Sequence, residues 1–432
     1  MRKRVSLFLS LVLAFCLVWS VTGLAQKGGN QIAANLRILY PGTSEVEKAW
    51  AENLKKVVAQ KYPNIKIEYI YLNWSDIEKK LAVMVASGDY PDMMDVQDVI
   101  NPVAMNALEP LDEYLKKSSI KLSNYSPGYL EYSKVNGKLY SIPLLGIVYA
   151  HVINTDMLKS AGYKISDLKS WDAVKAAVKA MAKNGKYGYA MANGGTGRFT
   201  FRDFMMICLS NDVTPDDISD ASKAKYIEVL KLISDLSPYM PKSQVTWLYP
   251  ELFKAWGAES VGMMHSGTYF TANAIAHSTE IIGKTRAFIF PHGPSATKPK
   301  AMVANAGFAI IKGSKQKEAA WKVMEILNNS EMSARLGGAI NLPATTKADK
   351  KVLDEVARQT YPQSYQGHLQ VLSDFAAIAK KYGVPQPRIF GQPQMELVVQ
   401  GALVRLTNGE STPAAAYDEI RKGIQRVKDE LK

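Results

Sequence analysis

Cysteine is nearly absent: the 432 residues contain 2, Cys16 and Cys208. Because Cys16 lies in an N-terminal apolar run that reads as a removable leader, no intrachain disulfide is expected in the mature chain. Histidine is scarce too, with 5 (His151, His265, His277, His292 and His368), and no Cys–His pair has metal-ligand spacing. No G-x-S-x-G or H-E-x-x-H is present, which removes the motif-bearing esterases and zinc peptidases. After the N-terminal run there is no second long apolar segment, so nothing else spans a bilayer. Internal repeats and low-complexity blocks are also missing.

What remains is an ordinary globular composition, 47% apolar and 22% charged, at a length that suits two or three domains. Arg2, Lys3 and Arg4 precede an apolar run from Val5 to Val21, and Gly23 and Ala25 stand where a signal peptidase reads small residues. Residues 1–25 are therefore expected to be a signal peptide, cut after Ala25. A retained membrane anchor is one alternative. Lipidation at Cys16 is another, though the bulky Phe15 in front of it fits poorly. The expected location is periplasmic or secreted. Removing the leader takes three basic residues and no acid, so the net charge falls from +13 to +10. The lysines are scattered singly along helices, as in Lys55, Lys79, Lys116, Lys138 and Lys175. That pattern reads as a solvated surface, not a nucleic-acid-binding one, with an acidic ligand as the alternative use of the excess.

Hydrophobic periodicity gives an alternation of strands and helices. Leu36 to Tyr40 reads as a strand, Glu45 to Tyr62 as a helix stopped by Pro63, and Ile65 to Tyr71 as a second strand with period 2. Ser75 reads as the cap of a helix bearing Ile77, Leu81 and Met84, stopped at Ser87-Gly88-Asp89 before Met93-Met94. The rhythm returns with a helix at Trp171 to Met181 and strands at Tyr187 to Met191, Val261 to His265, Ala287 to Phe290 and Ala306 to Ile311. Thr412 and Pro413 open a C-terminal amphipathic helix. Such a βαβ order predicts parallel sheets covered by helices.

Two segments, Lys61-Tyr62-Pro63-Asn64-Ile65-Lys66-Ile67-Glu68-Tyr69 and Ala86-Ser87-Gly88-Asp89-Tyr90-Pro91-Asp92, narrow the reading. In order and spacing they resemble the N-terminal block of the bacterial extracellular solute-binding proteins, the family that includes maltose-binding protein. The resemblance continues through Leu108-Glu109-Pro110-Leu111, Asn136-Gly137-Lys138-Leu139-Tyr140-Ser141-Ile142-Pro143, Ser170-Trp171-Asp172, Gly262-Met263-Met264 and Glu318-Ala319-Ala320-Trp321-Lys322. Ile153 and Gly262 depart from the family pattern. Each motif is weak alone, and their shared order over nearly the whole mature chain carries the weight. The resemblance implies an α/β, two-lobe periplasmic-binding-protein fold (type II), each lobe a mostly parallel sheet flanked by helices. Three crossings would join the lobes, near Leu144 to Val152, Thr297 to Ala304 and Leu342 to Asp349. Residues 33–145 plus 302–345 would form the N-terminal lobe and 150–298 plus 350–432 the C-terminal lobe, with ligand in the cleft between them.

A sugar cleft needs aromatic faces for ring stacking and planar polar groups for hydroxyls. Trp74, in a loop after a strand, suits the first need, with a surface-packing staple as the alternative. Asp95, Gln97 and Asp98 follow the Met93-Met94 strand and suit the second, although Asp98 is also placed to cap the next helix. Gly146 and Tyr149 lie at the first crossing, where Tyr149 faces the cleft or packs as a buried hinge aromatic. Arg198 and Phe199 end a Gly-rich loop that lacks the P-loop pattern and is expected to precede a helix from Phe201. Ser266, Gly267 and Tyr269 follow a later strand, with Tyr269 at the position where the family carries a sugar-stacking Trp. Trp247 and Tyr249, expected in a loop after Pro241, are further candidates, for an aromatic wall or for the core; Asn305, Gly307 and Arg388 match cleft-facing segments only loosely.

No catalytic residue, metal ligand or cofactor is expected. The function implied is capture of a mono- or oligosaccharide for an ATP-driven (ABC) importer, by a monomer that delivers it to membrane permease subunits and binds no nucleic acid. An anionic small solute such as glycerol phosphate or an acidic sugar is the alternative, and two or more cleft Arg or Lys residues would favour it. An adhesin or sensor-docking protein on the same fold is a third reading.

Overall fold

The computed structural model describes residues 32–42 and 44–432; the expected signal peptide and Cys16 lie outside them. Strand β1 (Ala34–Tyr40) runs through helix α1 (Glu45–Lys61) into β2 (Ile65–Tyr71), pairing in parallel from Ala34↔Ile65 to Tyr40↔Tyr71. A capping box starts α1: the Ser44 side chain accepts from the Glu47 N–H, and Glu47 accepts from the Ser44 N–H. Helix α2 (Ile77–Ser87) ends at Gly88, whose φ of 73° is the left-handed conformation that glycine adopts without strain. Its N-cap is Asp76 and not Ser75, and no side chain caps it. Strand β3 (Met93–Val96) then joins β1 in parallel.

The sheet is covered on both faces, as the βαβ pattern predicts. Leu36 and Ile38 pack with Trp50, Leu54 and Val58 of α1 on one side, while Leu39 packs with Ile77, Leu81 and Met84 of α2 on the other. A short hairpin, β4 (Lys134–Val135) and β5 (Lys138–Leu139), turns at Asn136 and Gly137, both at positive φ, the tight turn that an Asn-Gly pair favours. Directly after it comes β6 (Ser141–Asn154), a strand of 14 residues buried throughout.

Three further strands, β7 (Met263–Gly267), β8 (Thr285–Phe288) and β9 (Ala301–Ile310), complete the crossing. The first part of β6 pairs antiparallel with β9, from Ser141↔Ala309 to Tyr149↔Met302, and its last part with β7 and β8. β9 in turn pairs with β3 at one end and, at the other, with β11 (Gly383–Pro385). Leu342–Pro343 forms β10, which pairs with β6 at Leu145 and Gly146. The two lobes thus share one hydrogen-bonded sheet of 9 strands, parallel among β1 to β3 and antiparallel where the crossing strands meet. The faces of β6 serve different cores, Ile147 and Ile153 joining one cluster and Val148, Ala150 and Val152 the other.

Among the later helices are α3 (Trp171–Met181), α4 (Arg198–Ser210), α5 (Tyr249–Gly257) and α6 (Gln392–Thr407), of which α4 and α5 supply residues to the site. Tyr187 to Met191 forms no strand, only isolated bridges to Val261 and Met264, because Gly188 and Tyr189 give their N–H groups to the Tyr239 carbonyl. The C-terminal helix, α7 (Pro413–Glu430), opens with Thr412 accepting from the Ala415 N–H, as its sequence predicts.

Candidate functional site

A cavity lies between the lobes, lined from both sides and floored by the crossing strands through Leu145, Ile147 and Ala306. Tyr40 from the end of β1, Glu47 from α1, Trp74, Asp95 from β3 and Gln97 form one wall. Phe199 and Arg202 from α4, Tyr249 from α5, Tyr269 and Asn273 form the other. Strand ends supply the first wall because side-chain direction alternates along β1 and β3. Helix phase supplies the second, since residues three and four apart share a face.

The second wall is chiefly aromatic. The Phe199 and Tyr249 rings stack 4.1 Å apart at 11°, and the Tyr249 and Tyr269 hydroxyls hydrogen-bond to each other. Behind them Tyr149, fully buried, meets Tyr269 edge-on at 6.1 Å and carries the Arg202 guanidinium 4.8 Å above its ring. Such a contact is attractive when desolvated. Further in, His265 stacks on Tyr149, and burial, with the charges of His151 and Arg202, pushes its pKa well below the ordinary histidine value. On α4, next to Arg202, Asp203 accepts from the Tyr189 hydroxyl, which bonds the His151 ring, so the helix is tied to β6.

The first wall is acidic. Asp95 is buried and its Oδ1 has no hydrogen-bond partner. Burial, and then the neighbouring Glu47 charge, raises its pKa well above the usual carboxylate range. Gln97 bridges the walls: its side-chain carbonyl accepts from Arg198 at 3.0 Å and from Arg202 at 2.9 Å. Arg198 also faces Glu78 at 3.8 Å and lies 5.9 Å over the Trp74 ring. A second seam lies away from the cavity, where Arg388 pairs with Asp98 at 2.8 Å and donates to the Glu131 and Lys134 carbonyls. There the Asn101 side chain accepts from the Gly391 N–H, and the Tyr132 hydroxyl donates to the Gln386 carbonyl.

Of the residues singled out by sequence, Trp74, Asp95, Gln97, Phe199, Tyr249 and Tyr269 line the cavity. Asp98 lies in the outer seam with Arg388, and also accepts from the Ile100 N–H. Arg198 belongs to the inner seam, and Tyr149 lies beneath Arg202. The helix bearing Arg198 and Phe199 begins at Arg198, not at Phe201, so both residues stand in its first turn. Gly146 leaves room for the Tyr129 hydroxyl, and Gly307 lets β9 approach the Ile142 carbonyl. The Asn305 side chain donates to the Tyr129 carbonyl, and Gly267 lies under the Tyr269 ring. Ser266 is buried in β7 opposite Ala150. Trp247 packs against the core, its carbonyl accepting from the Gly194 N–H.

Sequence reasoning did not single out Tyr40, Glu47 or Arg202. The i, i+4 spacing of Arg198 and Arg202 is the signal that points to the last of these. Among the described residues no group of three or more His, Cys, Asp or Glu could hold a metal ion, and no helix is long and apolar enough to cross a membrane.

Residues 42–334 match the model of the bacterial extracellular solute-binding protein family, and the chain belongs to that family. More particular likenesses follow. A carbohydrate ABC transporter substrate-binding protein of Streptococcus pneumoniae is 24% identical over 311 residues, 64% of this chain and 58% of that one. An ABC substrate-binding protein of Listeria monocytogenes, solved with cycloalternan, superposes with a TM-score of 0.74 at 18% identity, covering 92% of this chain and 100% of that one. A solute-binding protein of Thermotoga lettingae, solved with α-D-tagatose, gives 0.74 at 20% identity, covering 91% and 100%.

Proposed function

We propose that this chain is the extracytoplasmic binding component of an ABC importer. It captures a mono- or oligosaccharide between its lobes as a monomer and hands it to membrane permease subunits, without catalysing a reaction. The observation that carries the reading is the cavity itself, where Phe199, Tyr249, Tyr269 and Trp74 offer ring faces beside the polar groups of Asp95, Gln97, Arg202 and Asn273. Aromatic faces pack on the apolar faces of a sugar ring, and the planar polar groups satisfy hydroxyls that burial would otherwise leave unpaired. The sugars named with the similar solved proteins point the same way.

In this reading residues 33–145 plus 302–345 act as one lobe and 150–298 plus 350–432 as the other, closing by hinge rotation about β6 and β9. Ligand favours the closed form only by what it gains on touching both walls. The anionic alternative has less support. Although two arginines lie at the cleft, Arg198 faces Glu78, and the buried Glu396 carboxyl lies close enough to act on both guanidinium groups, so part of their charge is already answered within the protein.

A thermal-shift screen against neutral sugars, acidic sugars, glycerol phosphate and polyamines, confirmed by Trp fluorescence titration, tests the proposal. Ligand at a hundred times its Kd stabilises the fold by about 2.7 kcal/mol, and a neutral sugar is expected to give that shift. A shift with anions alone would overturn the carbohydrate reading.

A further inference from the structure

On one side the cavity is closed by the protein itself, and that closure bears on how much of a saccharide fits. The Gln97 side-chain carbonyl accepts from Arg198 at 3.0 Å and from Arg202 at 2.9 Å, so the first wall is joined to the second across the cleft. Both arginines are buried, and Arg198 also faces Glu78 at 3.8 Å. Asp98, the next residue, pairs with Arg388 at 2.8 Å, so this strand end is tied across the cleft twice. A row of sugar rings laid past Gln97 would break both of its bonds and leave buried donors without an acceptor, which costs more than the bonds return elsewhere. The opening lies on another side. Among the described lining residues only Asn73, Leu248 and Pro250 are exposed, the first on one wall and the other two on the facing one. The enclosed space is about 100 Å³, against roughly 300–1,000 Å³ for pockets that take drug-sized ligands. Ring faces are limited as well: Phe199 and Tyr249 cover one face of each other, and the Arg198 guanidinium lies over the Trp74 ring. A saccharide held along its length needs an aromatic platform for each successive ring.

We infer that this site is blind at Gln97 and holds one sugar ring, either a free monosaccharide or the terminal residue of a linear chain whose remainder leaves between Asn73 and Leu248. The inference rests on the carbohydrate reading above and narrows it by size and shape. Rings beyond the first lie outside the walls and add little affinity, and a cyclic oligosaccharide, which has no end to insert, is excluded. Gln97 is then the residue that sets ligand length, through the two guanidinium groups it holds across the cleft.

The test is isothermal titration of the protein with glucose, mannose, galactose, xylose and arabinose, each beside its linear di- and trisaccharide, and with α- and β-cyclodextrin. At least one monosaccharide is expected to bind, its di- and trisaccharide to bind within about threefold of it, and the cyclodextrins not to bind. Gln97→Ala removes the bridge and is expected to raise the affinity for the disaccharide relative to the monosaccharide at least tenfold; an unchanged ratio would overturn the role given to Gln97. If that variant does not fold, the size series on the wild-type protein decides alone. A di- or trisaccharide binding ten times more tightly than its monosaccharide, or a cyclodextrin binding at all, would overturn this inference and leave the carbohydrate reading intact. The absence of binding by every sugar would overturn both.

Discussion

The two walls of the cleft are built on different principles. One is made of strand ends and the start of a helix, with Tyr40, Asp95 and Glu47 held on a sheet covered on both faces. The other is made of helix faces, with Phe199, Arg202 and Tyr249 placed by the phase of α4 and α5. The strand wall carries a buried acid, Asp95, whose ionisation burial disfavours. The helix wall carries a guanidinium held charged over an aromatic ring. A ligand touching both is thereby oriented as well as held, so the walls should respond differently to mutation.

The largest expected effect is on the helix wall. Arg202→Ala removes the guanidinium that covers Tyr149 and reaches Gln97, and should weaken ligand binding by about 2–5 kcal/mol, as truncating a buried, hydrogen-bonded charge does. Titration of the variant checks this, and an unchanged Kd would show that Arg202 serves only the fold. Trp74→Ala and Tyr269→Ala, one on each wall, should each cost about 1–3 kcal/mol of affinity while the far-UV circular dichroism stays native. Unchanged affinity in both would remove the cavity as the binding site.

The strand wall should show itself in the pH dependence of stability. Asp95 has a folded pKa raised above its unfolded value, so the native state holds a proton that the unfolded chain gives up. Stability is then greatest below the unfolded pKa and falls as pH rises toward the folded one. Asp95→Asn should remove that fall, so the difference in melting temperature between variant and wild type grows in favour of the variant as pH rises from 4. A constant difference would mean that the group titrates normally. The smallest effect belongs to the outer seam. Arg388→Lys should change ligand affinity by no more than about 1 kcal/mol, because its partner Asp98 is partly solvated and the cavity is elsewhere. A larger loss would move the recognition site toward that seam.

The strand wall was the more legible in sequence. Period-2 alternation placed β2, and the order of short motifs placed Asp95 and Gln97 after Met93-Met94, the first within β3 and the second just past it, where the cavity lies. Glu47 was hidden by its other work: Ser44-x-x-Glu47 is a capping-box pattern, and nothing in the sequence shows that the same carboxyl also lines a cavity. Arg202 was hidden in a different way. It stands in the stretch Phe199 to Phe204, where nearly every residue is buried, so hydrophobicity gives no face and only the helix phase fixed from its true start selects the one turned to the cleft. The contact of Arg388 with Asp98 spans 290 residues, and no local pattern predicts it.

The paired strands β6 and β9 have a calorimetric consequence. Each runs unbroken from one lobe into the other, so neither lobe can melt without tearing hydrogen bonds from strands that the other still holds. Heat should therefore unfold the molecule in a single step, with calorimetric and van't Hoff enthalpies equal. The bending that opens the cleft must in turn be spread as extra twist along those strands, so their amides should stay protected from exchange even while the lobes move apart.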